Sequence, residues 1–384
     1  MKSVLFDVDG VFLSEERCFD VSALTVYELL MDQSYLGLKP DIDLSLLENE
    51  DIDRIRADIF VNDDVLKKLK SLGLNSNWDM LYIVFSLHYI QILKALPSDE
   101  VEKILQSQQI NGEQLQHIGQ LIKSNYQIDY QLPLKFLEHV QSGKSNIFSR
   151  LQEYARNELN TNNVSYFDFK SPLWNLTQSI YQEWYLGSTL FKEVEGHAPY
   201  KQNKSGFIHQ EILIRPIKEI QDLLNDLKAS GYQIAIATGR PRTETLVPFQ
   251  TLNLLSYFDE KHIVTASEVL KAETMFAEYK PLGKPNPFSY IATLSGNKKD
   301  EYFKYITHQN NIVKKEEVFI VGDSLADLLS AKKIGATFIG TLTGLKGEQA
   351  KTELENNDAD YIVNHVGNIR DILSVSYTHL RAHE

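Results

Sequence analysis

The chain reads as α/β: a doubly wound, Rossmann-like parallel sheet with an inserted, mostly α-helical domain. Three observations predict this. After Pro216, short apolar runs alternate with amphipathic helical stretches. An apolar run of the same kind, Ser3 to Asp7, opens the chain. Between them the periodicity is mostly helical, with few β-branched runs.

Taken in order, Val4-Leu5-Phe6-Asp7-Val8-Asp9-Gly10 is a strand that runs into two aspartates and turns at a glycine. From Val21 to Leu190 the apolar residues recur at helical spacing, as in Leu24, Tyr27, Leu30 and Met31, then Val65, Leu66, Leu69 and Leu72, then Leu115, Ile118, Leu121 and Ile122. Trp78 to Leu96 is the most apolar long segment, but Asp79, His88, Gln91 and Lys94 make it too polar for a bilayer span, so a mostly buried helix is expected. The texture changes near Arg215-Pro216. Ile217 to Lys228 is a predicted helix stopped by Gly231, Gln233 to Ala237 a buried strand, and Thr243 to Leu254 a second helix. His262 to Thr265, Val318 to Val321, Thr337 to Ile339 and Tyr361 to Val363 supply further strands. The expected organisation is a discontinuous core of residues 1–14 plus 214–375, with 15–213 as the helical insertion. Residues 376–384, after the helix at Ile369 to Leu373, resemble a translated cloning adapter and are expected to be a non-native or disordered tail.

A formal net charge of -13 over 384 residues argues against broad nucleic-acid or anionic-membrane binding, because both need a positive surface. A small molecule is the expected partner. The single cysteine, Cys18, cannot pair within the chain, which fits a reducing, cytoplasmic setting, and it is expected to be buried. Met1-Lys2 leads directly into the first strand, so no leader is expected, and the sequons at Asn163 and Asn175 are read as chance matches.

In parallel sheets of this kind ligands bind at the carboxyl ends of the strands, and several predicted ends carry chemistry. Asp7 and Asp9 are an acidic turn or a catalytic pair. Ile234 to Ala237 ends in Thr238-Gly239-Arg240, where a hydroxyl and backbone N–H groups near a helix start form either a phosphate cradle or an N-cap. Lys284 is held in Gly283-Lys284-Pro285-Asn286-Pro287, where it can neutralise a phosphoryl oxygen or remain solvated. Val318 to Val321 runs into Gly322-Asp323-Ser324, with Asp327 four residues after Asp323. Two such carboxylates facing Asp7 are hard oxygen ligands suited to Mg²⁺; the alternative is an aspartate N-cap followed by an exposed helical acid.

Asp7-Val8-Asp9-Gly10, Thr238-Gly239-Arg240, Lys284-Pro285 and Gly322-Asp323 with Asp327 occur in the order of the four motifs of the haloacid dehalogenase-like hydrolase superfamily, which the chain resembles over its α/β core. The insertion falls where that superfamily places its first type of cap, between motifs one and two, although its length departs from the compact helical cap of phosphoglycolate phosphatase-like members. The resemblance implies a Mg²⁺-dependent phosphatase acting on a small phosphomonoester, with Asp7 as nucleophile and Asp9 as acid/base. It further implies Mg²⁺ held by Asp7, the Asp9 carbonyl and Asp323, support from Asp327, and phosphate binding by Thr238, Gly239 and Lys284. Arg240 and Ser324 are further candidates, Arg240 reaching a substrate anion or forming an exposed salt bridge.

Asp9 argues against a dehalogenase, and Val8-Asp9-Gly10-Val11 after the nucleophile departs from the Lys-Thr-Gly-Thr of P-type ATPases. A phosphomutase shares every core residue, and a non-catalytic scaffold built on the insertion is the alternative from another class. In the insertion, Trp174, Tyr181, Trp184 and Tyr185 are expected as core rather than a substrate box, Lys192, Lys201 and Lys204 as a solvated loop rather than contacts to an anionic substrate, and Phe207 to Glu211 as part of a hinge or its anchor. The insertion is expected to open and close over the acids.

Overall fold

The computed structural model describes residues 2–107, 110–122 and 126–373; the adapter-like stretch 376–384 lies outside them. Six parallel strands form one sheet in the order β3-β2-β1-β4-β5-β6: β1 Ser3–Phe6, β2 Gln233–Ala237, β3 Ile263–Val264, β4 Val318–Gly322, β5 Thr337–Thr341 and β6 Tyr361–Val363. The alternation of side chains divides the strands between two apolar layers. Val4, Phe6, Ile234, Ile236, Phe319 and Val321 pack on one face, against Ile220, Leu223, Leu224 and Leu227 of helix Ile217–Ala229. Leu5, Ala235, Ala237, Ile320 and Phe338 pack on the other, against helices Phe288–Leu294 and Leu325–Ile334. Helices on both faces explain why these strands read as continuous apolar runs.

Several expected boundaries moved, among them the helix expected from Thr243 to Leu254, which is Arg242–Thr251. The strand expected from His262 to Thr265 is only two residues long, because His262 closes a 3₁₀ turn and Thr265 caps helix Ala266–Met275 in a reciprocal box with Glu268. The strand expected to end at Ile339 runs on to Thr341.

The contacts divide the chain into two compact units, Met1–Glu15 with Ile208–Glu384, and Glu16–Phe207. The second is helical. Its central helix, Asn77–Lys94, is buried from Asp79 to Ile90 and touches helices Glu16–Met31, Lys144–Leu159 and Pro172–Glu195. Trp174, Tyr181, Trp184 and Tyr185 are buried in this unit, as is Cys18. Lys204 corrects the sequence reading. It is buried rather than solvated, with Nζ 2.8 Å from Glu28 and 3.0 Å from Glu183, while Trp184 Nε1 donates to Glu28 at 2.6 Å. Lys201 is partly buried against Asp32, and Lys192 is exposed as expected.

Candidate active site

Register assembles the site. β1 lies between β2 and β4, with Phe6 level with Ile236 on one side and with Val321 on the other. Asp7, Thr238 and Asp323 therefore leave neighbouring strands at the same end of the sheet, at the point where the order of strands reverses, which is where parallel sheets bind ligands.

Asp7 leaves β1 with its N–H still bonded to the Val321 carbonyl at 2.9 Å, and its Oδ1 accepts from the Val8 N–H at 2.8 Å. Lys284 Nζ is 3.1 Å from the same Oδ1 and 2.8 Å from Asp327 Oδ1. Burial is the largest influence on Asp7; Lys284 opposes it, Asp327 and Asp9 add to it, and the carboxyl is lifted to about 7. For Lys284, burial works against the ammonium, but Asp327 and Asp7 outweigh it and the pKa is raised.

Asp327 is fully buried and heavily engaged. Its Oδ1 accepts from Tyr290 Oη at 2.7 Å as well as from Lys284, and its Oδ2 accepts from Ser324 Oγ at 2.6 Å. The N-cap of helix Leu325–Ile334 is Ser324, whose Oγ accepts the Asp327 N–H. The bland reading of Asp323 as cap and Asp327 as an exposed acid is thus wrong at both positions.

Asp323 is cradled by backbone. A Cβ on Gly10 would fall 2.5 Å from its carboxylate and one on Gly344 1.8 Å from its Oδ2. Gly10 also has φ +70°, which favours glycine. Its carbonyl accepts from the hydroxyls of Thr341 and Thr343, at 3.0 and 2.5 Å, which ties the turn after β1 to the end of β5.

Carboxylate oxygens of Asp7, Asp323 and Asp327 lie within 4.8 Å of one another. The Lys284 ammonium bridges two of these acids, Asp7 and the fully buried Asp327, and burial followed by the neighbouring carboxylates outweighs it at Asp7. The donor set, all hard oxygen with glycine backbone at contact, fits a divalent cation of the Mg²⁺ class. Asp7 and Asp323 are the side chains suited to hold it, because both Asp327 oxygens already accept from protein donors.

Thr238 is buried, and its Oγ1 accepts the Arg240 N–H at 3.2 Å. Gly239 is exposed and a Cβ there would meet nothing within 4 Å, so its backbone borders open space. Asp9 is not part of the 4.8 Å group but is near enough to raise the Asp7 pKa. Its Oδ1 accepts from Arg240 Nε at 2.8 Å and from Nη2 at 2.6 Å, and Arg240 Nη1 reaches Glu211 Oε1 at 2.5 Å. The Arg240 side chain is only 5% exposed, so the expected exposed salt bridge is a buried one.

Sequence reasoning missed three contributors: Tyr290; Glu211, noted only near a hinge; and the loop Thr341 to Gly344. Closely spaced threonines and glycine after a buried strand were the available signal for that loop.

Comparison with known proteins bears on this arrangement. The family model described as haloacid dehalogenase-like hydrolase matches residues 184–341, a span that contains Thr238, Lys284, Asp323 and Asp327 but not Asp7 or Asp9. A pyrophosphatase, PpaX, from Halalkalibacterium halodurans is 23% identical over 172 residues, which is 45% of this chain and 66% of its own length. An X-ray structure of a Northeast Structural Genomics Consortium target is 57% identical, with a TM-score of 0.89, over 97% of this chain and 98% of its own. A HAD-superfamily hydrolase, subfamily IA, from Geobacter sulfurreducens is 15% identical over 97% of this chain and 96% of its own, and its TM-score of 0.39 is too low to bear on chemistry. The family match runs through three of the four motifs, so residues 184–341 are similar to haloacid dehalogenase-like hydrolases, and the register of β1 brings Asp7 to the same end of the sheet.

Proposed function

We propose that the chain is a Mg²⁺-dependent phosphatase that hydrolyses a small phosphorylated metabolite through an aspartyl-phosphate on Asp7. The observation that carries this reading is the Lys284 ammonium bridging Asp7 and Asp327, beside Asp323. Asp7 attacks phosphorus with one carboxylate oxygen and the alcohol departs. Asp9 gives that alcohol its proton, then takes one from the water that attacks the aspartyl-phosphate. Lys284 offsets charge on the transferring group, and the Thr238 hydroxyl with the Gly239 N–H holds its oxygens. Asp7, Asp323 and the Asp9 carbonyl would hold Mg²⁺, which would supply the positive charge that offsets carboxylates otherwise repelling a phosphate dianion. Asp327 orients Lys284 and receives Tyr290 and Ser324.

We place this activity in the cytoplasm on the single cysteine, and assign the choice of leaving group to the helical insertion, residues 15–213. Among the described residues no helix is long and apolar enough to cross a membrane.

The test is hydrolysis of an aryl phosphate with and without Mg²⁺, beside Asp7→Asn. Metal-dependent release of phosphate, lost in the variant, is the expected result; equal rates in the two proteins reject the nucleophile. A panel of sugar phosphates, nucleotides, phosphoglycolate and, from the name of the PpaX relative, pyrophosphate then addresses the leaving group. Phosphoryl transfer to a second hydroxyl in place of water would make it a mutase.

A further inference from the structure

The Arg240 guanidinium is held between two carboxylates. Nε and Nη2 both donate to a single oxygen, Asp9 Oδ1, while Nη1 donates to Glu211 Oε1 and, at 3.5 Å, lies near the Glu244 carbonyl. The side chains of Arg240 and Glu211 are 5% and 1% exposed, whereas that of Asp9 is 30% exposed. A buried cation with a buried partner is rigid. The carboxylate it grips is the one that still faces solvent.

From this we infer that Arg240 is the positioning residue for Asp9, and that Glu211 holds Arg240 in place. Nε and Nη2 both grip Oδ1, which restrains χ1 and χ2 of Asp9 and directs its partly exposed carboxylate at the incoming leaving group. Lysine offers one charged nitrogen at the end of a flexible stem and cannot reproduce a two-point grip on one oxygen together with the Glu211 contact. Glu211 lies four residues past Phe207, where the chain re-enters the α/β unit, so the segment that closes the insertion also sets the orientation of Asp9. Arg240 is thereby assigned away from the substrate anion.

The inference rests on Asp9 as the proton donor, and the test separates the two. Arg240→Lys, Arg240→Ala, Glu211→Gln and Asp9→Asn are compared with the wild type on two Mg²⁺-supported substrates: an aryl phosphate whose phenolate leaves unaided, and an alkyl phosphate that needs a proton. Loss of positioned proton donation lowers kcat/KM, which reports phosphoryl transfer to Asp7 and not the later hydrolysis common to both esters, by about 10²-fold or more for the alkyl ester in both Arg240 variants, with much less effect on the aryl ester. Glu211→Gln shows the same leaving-group bias, reduced in size. A rise in KM at constant kcat for both esters, as expected of a substrate-binding arginine, overturns the inference. So does an equal fall of kcat/KM on both esters. Should Asp9→Asn itself lack the leaving-group bias, the acid/base assignment of Asp9 fails; if Asp9→Asn shows it and the arginine variants do not, only the positioning role fails. Arg240→Lys, which retains the charge, and thermal melts of every variant guard against loss of fold.

Discussion

Charge balance dominates at the scale of single residues. Asp7 has a folded-state pKa raised from 3.8 to about 7, so the native state holds a proton that the unfolded chain releases, and ionising Asp7 costs stability as pH rises. In metal-free protein the wild type therefore loses about 2–4 kcal/mol relative to Asp7→Asn between pH 4 and 8. Urea melts of both proteins across that window measure it, and parallel pH profiles would show that Asp7 is not strained by its neighbours. Gly344 gives a second prediction. A methyl group there must displace Asp323, so Gly344→Ala weakens Mg²⁺ binding roughly 10–100-fold with the fold retained, as read by calorimetric titration. Unchanged affinity would remove Asp323 from the ligand set. The acids were legible because carboxylates at the ends of apolar strands need a reason. Tyr290 and Glu211 were not, since a helical tyrosine and a loop glutamate become informative only once Asp327 and Arg240 are seen beside them.

Elements were legible where one face or one period decided the matter. Gln233–Ala237 and Tyr361–Val363 have the predicted bounds, and the apolar stretch from Trp78 is the buried helix Asn77–Lys94. What local sequence could not resolve was competition at element ends, where Thr265 serves helix rather than strand and Ser324 takes the cap from Asp323. In the helical unit, Lys204 was misread because a lysine in a polar stretch looks solvated; its burial depends on Glu28 and Glu183, which come from helices far apart in sequence. Those contacts tie helix Glu16–Met31 to helix Pro172–Glu195. Lys204→Met removes the cation shared by two buried carboxylates, leaving Glu28 only the more distant Lys201 at 3.6 Å, and is expected to destabilise by about 3–5 kcal/mol. Denaturant unfolding followed by tryptophan fluorescence reads this, and a loss below about 1 kcal/mol would mean that the carboxylates find other partners.

For the whole molecule, the change of texture at Pro216 and the isolated opening strand together made a discontinuous α/β unit legible, since β1 pairs with strands more than two hundred residues away, as in Ser3 with Gln233 and Val318. The same pairing places the first aspartates beside motifs that a linear reading keeps apart. The identity of the substrate was not legible, because the residues read at the strand ends are carboxylates, a hydroxyl and an ammonium, which carry no signal for one leaving group over another. The net charge of -13 adds a condition at this scale: a phosphate ester approaches an acidic molecule, so local cations at the site must offset the overall field. The central claim is a covalent intermediate on Asp7, and stereochemistry at phosphorus tests it most directly. A chiral phosphorothioate ester would be hydrolysed in isotopically labelled water and the configuration of the product determined. Two successive in-line displacements, first by Asp7 and then by water, predict net retention. Inversion would show a single direct attack by water and would contradict the account.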